Sequence, residues 1–167
     1  MSSPEAGRIV VIGVGNEFRR DDGIGPEVVS RLRERAAGGV ELVISDGDPT
    51  RMIEVWTGAR LVVVVDAVQT ERPSPGRLHR IVIDGADLPG TRPVSSHGLG
   101  PGDAVALARA LGRMPERLIV HVVEAADVGH GLGLTAAVAA AAGALTDAVL
   151  LDLLAAAGPR ASGTGDS

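Results

Sequence analysis

Three acidic residues and one histidine stand where they could bind a cation. Asp21 and Asp22 are adjacent in the Gly-rich segment Gly13–Gly25, which follows an apolar, strand-like run and leads into a helix-like pattern. Asp66 comes at the end of a second apolar run, and His97 lies in a polar segment. Carboxylates held in a rigid loop are costly unless positive charge compensates them, and two carboxylates with an imidazole suit a transition metal. These residue types therefore suggest a metal site with oxygen and nitrogen ligands.

Each of these residues also has an ordinary structural explanation. Asp21 or Asp22 could cap the helix that follows and complement its dipole. Asp66 could accept hydrogen bonds from loop amides, and His97 could be a solvent-facing loop residue. However, capping needs only one of the two adjacent acids, and ligands of open α/β sheets bind outside the carboxyl ends of the strands, where Asp66 is expected. Position therefore favours a functional site without excluding the structural explanations.

Two other kinds of site are disfavoured. Gly13 and Gly15 after a strand invite comparison with a dinucleotide-binding loop, but Phe18 stands where that fingerprint needs a third glycine, and the two acids would repel a phosphate. A serine hydrolase is disfavoured because Ser96 and His97 are adjacent and cannot readily face each other as nucleophile and base. The sequence also has no Gly-x-Ser-x-Gly elbow.

Composition narrows the possible functions. The chain has 167 residues, which suits one domain with a sheet covered by helices on both faces. A net charge of -5 and 1% aromatic residues offer nucleic acid neither a basic surface nor stacking platforms. Cysteine is absent, which excludes disulfides and thiolate chemistry. With no signal-like opening and no membrane-spanning window, we expect a cytoplasmic protein with no nucleic-acid or membrane partner.

The elements that must position these residues are predicted to form an α/β fold. Helical patterns separate most of five apolar, β-branched runs, which indicates a three-layer sandwich. Its centre would be a five-stranded, mainly parallel, twisted sheet with helices on both faces. His79 and His121 fall in strand patterns and are expected to be structural. The predicted strands are residues 8–13, 40–45, 60–66, 78–84 and 117–124.

Helices are predicted from apolar periodicity and end signals. The first should begin near Gly25-Pro26 and end before Gly38-Gly39, and others are expected around residues 52–56, 103–111 and 135–156. Residues 1–157 form the single predicted domain, and residues 158–167 a disordered C-terminal tail. The stretch from Asp84 to Pro101 lacks an apolar period and contains His97. We expect it to be a mobile surface loop with a task.

Five short motifs follow one another from the first strand to the last helix: Gly13-Val-Gly-Asn, Asp21-Asp22-Gly-x-Gly, Val65-Asp66-Ala67, Ser96-His97-x-Leu99 and Gly131-x-Gly133-Leu134-Thr135. In this order they resemble the hydrogenase maturation proteases, endopeptidases that trim the C-terminus of the nickel-iron hydrogenase large subunit. The resemblance covers about residues 8–155. Two departures are visible: Asp46-Gly47-Asp48-Pro49-Thr50 replaces a common Asp-Gly-Gly-Thr turn, and Ala125 replaces a common proline.

The resemblance implies which residues act and on what. In that family an acidic residue, a strand-end Asp and a loop His bind the metal, and by position these are Asp22, Asp66 and His97. They are the predicted catalytic and metal-binding residues of an aspartic-type endopeptidase. The resemblance further implies that the nickel is carried by the substrate, a nickel-iron hydrogenase large-subunit precursor, which is cleaved after nickel insertion. The expected oligomeric state is a monomer or weak dimer.

The chemistry of cleavage is open at this stage. A nickel-polarised carbonyl or a nickel-bound water is physically adequate, and the metal could equally only position the peptide. Asp21 or Glu17 is a further hypothesis for a general base. A non-proteolytic nickel-binding chaperone or checkpoint for hydrogenase assembly would use the same three ligands, and the sequence does not separate it from a protease.

Overall fold

The structure, a computed structural model, describes residues 7–35, 38–84 and 101–157. The predicted mobile loop with His97 and the predicted disordered tail, residues 158–167, lie outside these ranges. Within them the elements are, in order, β1 (Ile9–Val14), a 3-10 helix (Arg20–Gly23), α1 (Ile24–Arg35), β2 (Val40–Ser45), α2 (Pro49–Trp56), β3 (Leu61–Val68), β4 (Leu78–Asp84), α3 (Gly102–Leu111), β5 (Arg117–Glu124) and α4 (Ala136–Ala156).

The five strands form one sheet in the order β2-β1-β3-β5-β4. Strands β2, β1, β3 and β5 are parallel, and β4 pairs with β5 in the antiparallel sense. The short link between β3 and β4 leaves no room for a crossover helix, so β4 returns antiparallel. The predicted mainly parallel α/β sandwich is confirmed.

Helices cover both faces of this sheet and divide the core into two halves. Alternate residues of β3 point to opposite faces. Val62 and Val64 pack with α2 and α3, whereas Val63 and Val65 pack with α1 and α4. Asp66, next in the alternation, therefore faces the α2 and α3 side of the sheet.

Helix α1 begins against the backbone of β1. A Cβ atom on Gly13 would lie 2.4 Å from the carbonyl oxygen of Gly25, and one on Gly25 would lie 2.4 Å from that of Val14. Only glycine at both positions allows this approach. The predicted helix start near Gly25 is thereby confirmed, and the helix begins one residue earlier, at Ile24.

Helix α4 is long and apolar enough to cross a membrane by length and composition, and it is the one such helix in the described part of the chain. One of its faces is fully buried against the sheet and α1, through Val138, Ala142 and Leu145. That packing is typical of the core helix of an α/β domain. Its outer face exposes Leu151 and Leu154.

Candidate active site

The loop after β1 is folded so that it holds the Asp22 side chain. Gly15 has φ 137°, and a Cβ atom there would lie 1.8 Å from the Asp22 carbonyl oxygen, so the loop requires glycine. The backbone N–H of Asn16 donates to Asp22 Oδ2 at 2.9 Å. Asp22 is half-buried and accepts this bond from an upstream amide, not from the first turn of α1. Its side chain is therefore oriented by the loop and does not cap the helix.

Asp66 lies at the carboxyl end of β3, where β1 also ends. Its Cα pairs with that of Val122 on β5, and the side chain is 9% exposed. Oδ1 accepts the N–H of Ala67 at 2.8 Å, and because Ala67 is itself in β3, this is a strand amide and not the loop amide that was predicted. Burial raises the pKa of Asp66 to about 7; the Ala67 bond opposes this, and the negative charge of Asp22 adds to it. Asp66 is thus an acid that is costly to ionise.

Asp22 and Asp66 each have a carboxylate oxygen that could bind a divalent cation. Each has one oxygen held by a backbone N–H, and neither Asp22 Oδ1 nor Asp66 Oδ2 accepts a hydrogen bond from another described residue. Mutual repulsion of two carboxylates is relieved when a cation binds between them. Within residues 7–35, 38–84 and 101–157 no group of three His, Cys, Asp or Glu side chains could hold a metal ion. The third predicted ligand, His97, lies outside those ranges, so the set of three stays a prediction.

Asp21 has a different environment from its neighbour. Its side chain is fully buried and accepts hydrogen bonds from the backbone N–H of Ala126 (2.8 Å), Asp127 (3.0 Å) and Thr135 (2.7 Å). The Thr135 hydroxyl also donates to it, at 2.8 and 2.9 Å. Burial alone would raise the pKa of Asp21, but these bonds bring it below its usual value. A carboxylate so occupied is poorly suited to be a general base.

The 3-10 helix is fastened to the loop between β5 and α4. Arg20 donates its N–H to Gly131 O at 3.0 Å, and Gly131 donates its N–H to Phe18 O at 2.9 Å. Arg20 has φ 48°, a left-handed conformation that costs about 1 kcal/mol for a residue other than glycine. Hydrogen bonds on both sides hold this strained backbone in place. The segment Gly131–Thr135, the last of the five motifs, thus holds the 3-10 helix that contains Asp22.

The remaining sequence hypotheses have clear structural positions. Glu17 is exposed and lines a cleft. Its suggested role as a general base stays a prediction. His79 pairs with Glu124 at 2.8 Å and the buried His121 with Asp152 at 2.6 Å, which agrees with structural roles for both histidines. His130 is exposed.

The two departures from the family pattern have local explanations. Asp48 Oδ1 accepts the N–H of Arg51 at 2.9 Å and caps α2, with Pro49 at the first helical position. Ala125 donates its N–H to Val68 O at 2.9 Å, a bond that a proline could not form.

The hydrogen bonds from Thr135 to Asp21 were not predicted from the sequence, although Thr135 belongs to one of the five motifs.

Asp66 at the carboxyl end of β3 and Asp22 in the loop after β1 lie where open α/β sheets bind their ligands. A family model described as hydrogenase maturation protease matches residues 26–151. The chain belongs to the hydrogenase maturation protease family and is a peptidase, which confirms the resemblance found in its motifs. The match includes Asp66 and His97, and Asp22 precedes it.

Individual relatives agree with this assignment. The hydrogenase 2 maturation protease of Escherichia coli (strain K12) is 28% identical over 137 residues, 80% of this chain and 82% of that protein. The hydrogenase expression/formation protein HupD of Thiocapsa roseopersicina is 32% identical over 139 residues, 78% of this chain but 60% of its own length.

Solved structures share the fold. The hydrogenase maturating endopeptidase HybD from E. coli superposes with a TM-score of 0.71 at 24% identity, covering 87% of this chain and 91% of that one. The hydrogenase 2 maturation peptidase from a Thaumarchaeota archaeon gives a TM-score of 0.66 at 25% identity, covering 87% and 97%.

Proposed function

We propose that this peptidase removes the C-terminal extension of a nickel-iron hydrogenase large-subunit precursor after nickel insertion, and that nickel carried by the substrate is the recognition element. The observation that carries the proposal is the pair of Asp22 and Asp66, in which burial, with an added contribution from the charge of Asp22, raises the pKa of Asp66 to about 7. A cation that arrives with the substrate would lower the free-energy cost of ionising both carboxylates.

Recognition would work by relief of this electrostatic cost. A precursor without nickel brings nothing to compensate Asp22 and Asp66, so it binds weakly. A nickel-loaded precursor allows Asp66 to lose its proton and both carboxylates to become ligands, with His97 as the third. A site that penalises the unloaded partner discriminates by this difference in affinity.

The cleavage step requires the scissile peptide to lie beside the ion. Nickel would supply polarisation of the carbonyl or a bound water of lowered pKa. The protein's own contribution is to fix the carboxylates: the Gly15 turn and the Asn16 N–H hold Asp22, and the Ala67 N–H holds Asp66. Fixed ligands hold the reacting groups in position without cost at the moment of reaction. We further propose that the enzyme acts in the cytoplasm as a monomer or weak dimer.

Intact-mass spectrometry of the host's large-subunit precursor tests this function. The wild-type protein should release one defined C-terminal peptide from nickel-loaded precursor and none from nickel-free precursor. The variants Asp22→Ala, Asp66→Asn and His97→Ala should leave the precursor intact. Asp147→Asn is the matched control, because Asp147 is an exposed carboxylate on α4 that pairs with Arg35. This variant should cleave the precursor normally.

Two results would contradict the proposal. If the wild-type protein cleaved nickel-free precursor as fast as nickel-loaded precursor, nickel would not be the recognition element. An unchanged precursor mass, with binding retained, would support a nickel-dependent checkpoint that holds the precursor without cutting it.

A further inference from the structure

Two neighbouring clefts meet at the carboxyl end of β2, beside the candidate active site. The first, about 360 Å³, is lined by the Gly15–Phe18 loop, Pro26 and the end of β2. The second, about 320 Å³, lies between β2 and α2. Both clefts include Ile44, Ser45 and Asp46, and together we call them the β2 groove. Because Asn16 lines the first cleft and its N–H donates to Asp22, this cleft is next to Asp22.

Strand β2 is at an edge of the sheet formed by the described strands, so one side of its backbone has no strand partner among the residues that the structure describes. Gly15 donates its N–H to Ser45 O at 2.9 Å, which shows that the backbone groups of Ser45 point inward, toward β1. In an extended strand the direction of these groups alternates from residue to residue. The N–H and C=O groups of Leu42 and Ile44 therefore point to the open edge, where a further strand could pair.

Exposed apolar side chains flank this open edge. Phe18, the single phenylalanine of the sequence, is 58% exposed, and Ile44 is 47% exposed. Both line the first cleft. Apolar surface left exposed next to a reaction site is typical of a surface that binds a ligand.

We propose that the β2 groove binds the C-terminal extension of the precursor as an added strand, antiparallel to β2. This inference rests on the proposed function. The carboxyl ends of β1, β2 and β3 lie side by side, and Asp22 and Asp66 are at this end of the sheet. If the scissile bond is held there, the extension that follows it runs along β2 from the carboxyl end of that strand toward its amino end.

The groove also defines the chemistry of its occupant. Main-chain hydrogen bonds to Leu42 and Ile44 select an extended segment without proline at the paired positions. Every second side chain of an added strand faces the same side, so an apolar residue just beyond the cut would contact Phe18 and Ile44. The opposite edge strand, β4, is separated from β3 by β5 and is not next to Asp22.

Variants of the two edge strands test this binding mode with nickel-loaded precursor. Ile44→Pro removes an N–H directed at the open edge, replaces the apolar Ile44 side chain with a smaller one and leaves the pairing with β1 intact. Phe18→Ala removes the apolar contact without touching the strand. Each should lower kcat/KM about tenfold, mostly through KM, as expected for losing one main-chain bond or one apolar contact. Val82→Ala, on β4 and 37% exposed, should cleave like wild type.

Hydrogen exchange supplies a readout that does not depend on turnover. A synthetic peptide with the sequence of the extension should slow exchange at the amides of Leu42 and Ile44, and should leave the amides of β4 unchanged. Wild-type kinetics in both Ile44→Pro and Phe18→Ala, or protection confined to another part of the molecule, would overturn the binding mode. A wild-type enzyme that leaves the precursor uncut would count against the proposed function alone, because the peptide experiment still tests the groove.

Discussion

Asp21 and Asp22 are adjacent in sequence and differ in what surrounds them. Asp21 is fully buried and its carboxylate is bonded to Ala126, Asp127 and Thr135. Asp22 is held by the N–H of Asn16 and remains accessible to a ligand. Asp21 binds the 3-10 helix to the loop between β5 and α4, and this fixes the position of Asp22 in the same helix.

Loss of the Asp21 contacts should lower stability in a graded manner. In Asp21→Asn one carboxylate oxygen becomes an NH₂ group that faces N–H donors, and we expect a loss of about 2 kcal/mol in the free energy of unfolding. Thr135→Val, which keeps the shape and loses the hydroxyl, should cost about 1 kcal/mol. Urea unfolding measures both. Thr135→Ser is the control and should resemble wild type; equal stability of the Val and Ser variants would contradict the importance of this hydroxyl.

Asp66→Asn should stabilise the metal-free protein while abolishing cleavage. The folded-state pKa, about 7, lies above the usual value of 3.8. The unfolded chain therefore releases its proton first as pH rises, and the wild type loses stability from about pH 4 up to about pH 7. Asparagine carries no charge and retains an acceptor for the Ala67 N–H, so we expect a gain of about 2 kcal/mol at pH 8.

Thermal unfolding at pH 4 and pH 8, with a chelator present, measures this effect. The difference between Asp66→Asn and wild type should be large at pH 8 and nearly absent at pH 4. A variant that is less stable than wild type at pH 8 would show that ionising Asp66 does not destabilise the folded protein, and hence that burial does not raise its pKa.

At the scale of elements, the contact between β1 and α1 sets the geometry of the loop that carries Asp22. Ala at Gly25 would place its Cβ atom 2.4 Å from the Val14 carbonyl oxygen, which the rigid strand cannot avoid. We expect Gly25→Ala to lower the free energy of unfolding by about 3 kcal/mol. Gly143→Ala is the matched control within α4, where the nearest atom to an added Cβ is 4.0 Å away. It should raise stability by about 0.5–1 kcal/mol. Chemical denaturation of both variants checks these opposite signs.

Element boundaries were predictable where they depend on local sequence. The strands Val40–Ser45, Leu78–Asp84 and Arg117–Glu124 begin and end where their β-branched runs do. Strand β3 was predicted to end at Asp66 and continues to Val68, because Asp66, Ala67 and Val68 pair with β5. That pairing joins segments more than fifty residues apart, which local patterns do not reveal. The antiparallel direction of β4 depends on the same long-range pairing.

For the whole molecule, fold and site differ in how far the sequence predicts them. The α/β sandwich follows from periodicity and composition, which each segment carries by itself. The nearness of Asp22 to Asp66 followed from the rule that ligands bind at the carboxyl ends of strands, and the electrostatic coupling of the pair agrees with it. The burial of Asp21 was not predictable, because its donors belong to a loop whose position depends on the completed sheet.

The distance along the chain between Asp21 and its donors has a consequence for synthesis. Those donors follow it by 105 to 114 residues. At about 5–20 residues per second, a ribosome needs about 6 to 23 s to add that length. Once residue 66 has been added, the nascent polypeptide contains both Asp22 and Asp66, but its first βα loop still lacks the donors that fix it. The contacts of Asp21 can therefore be completed only near the end of translation, and products of premature termination between residues 66 and 135 carry both acids without the full set of contacts.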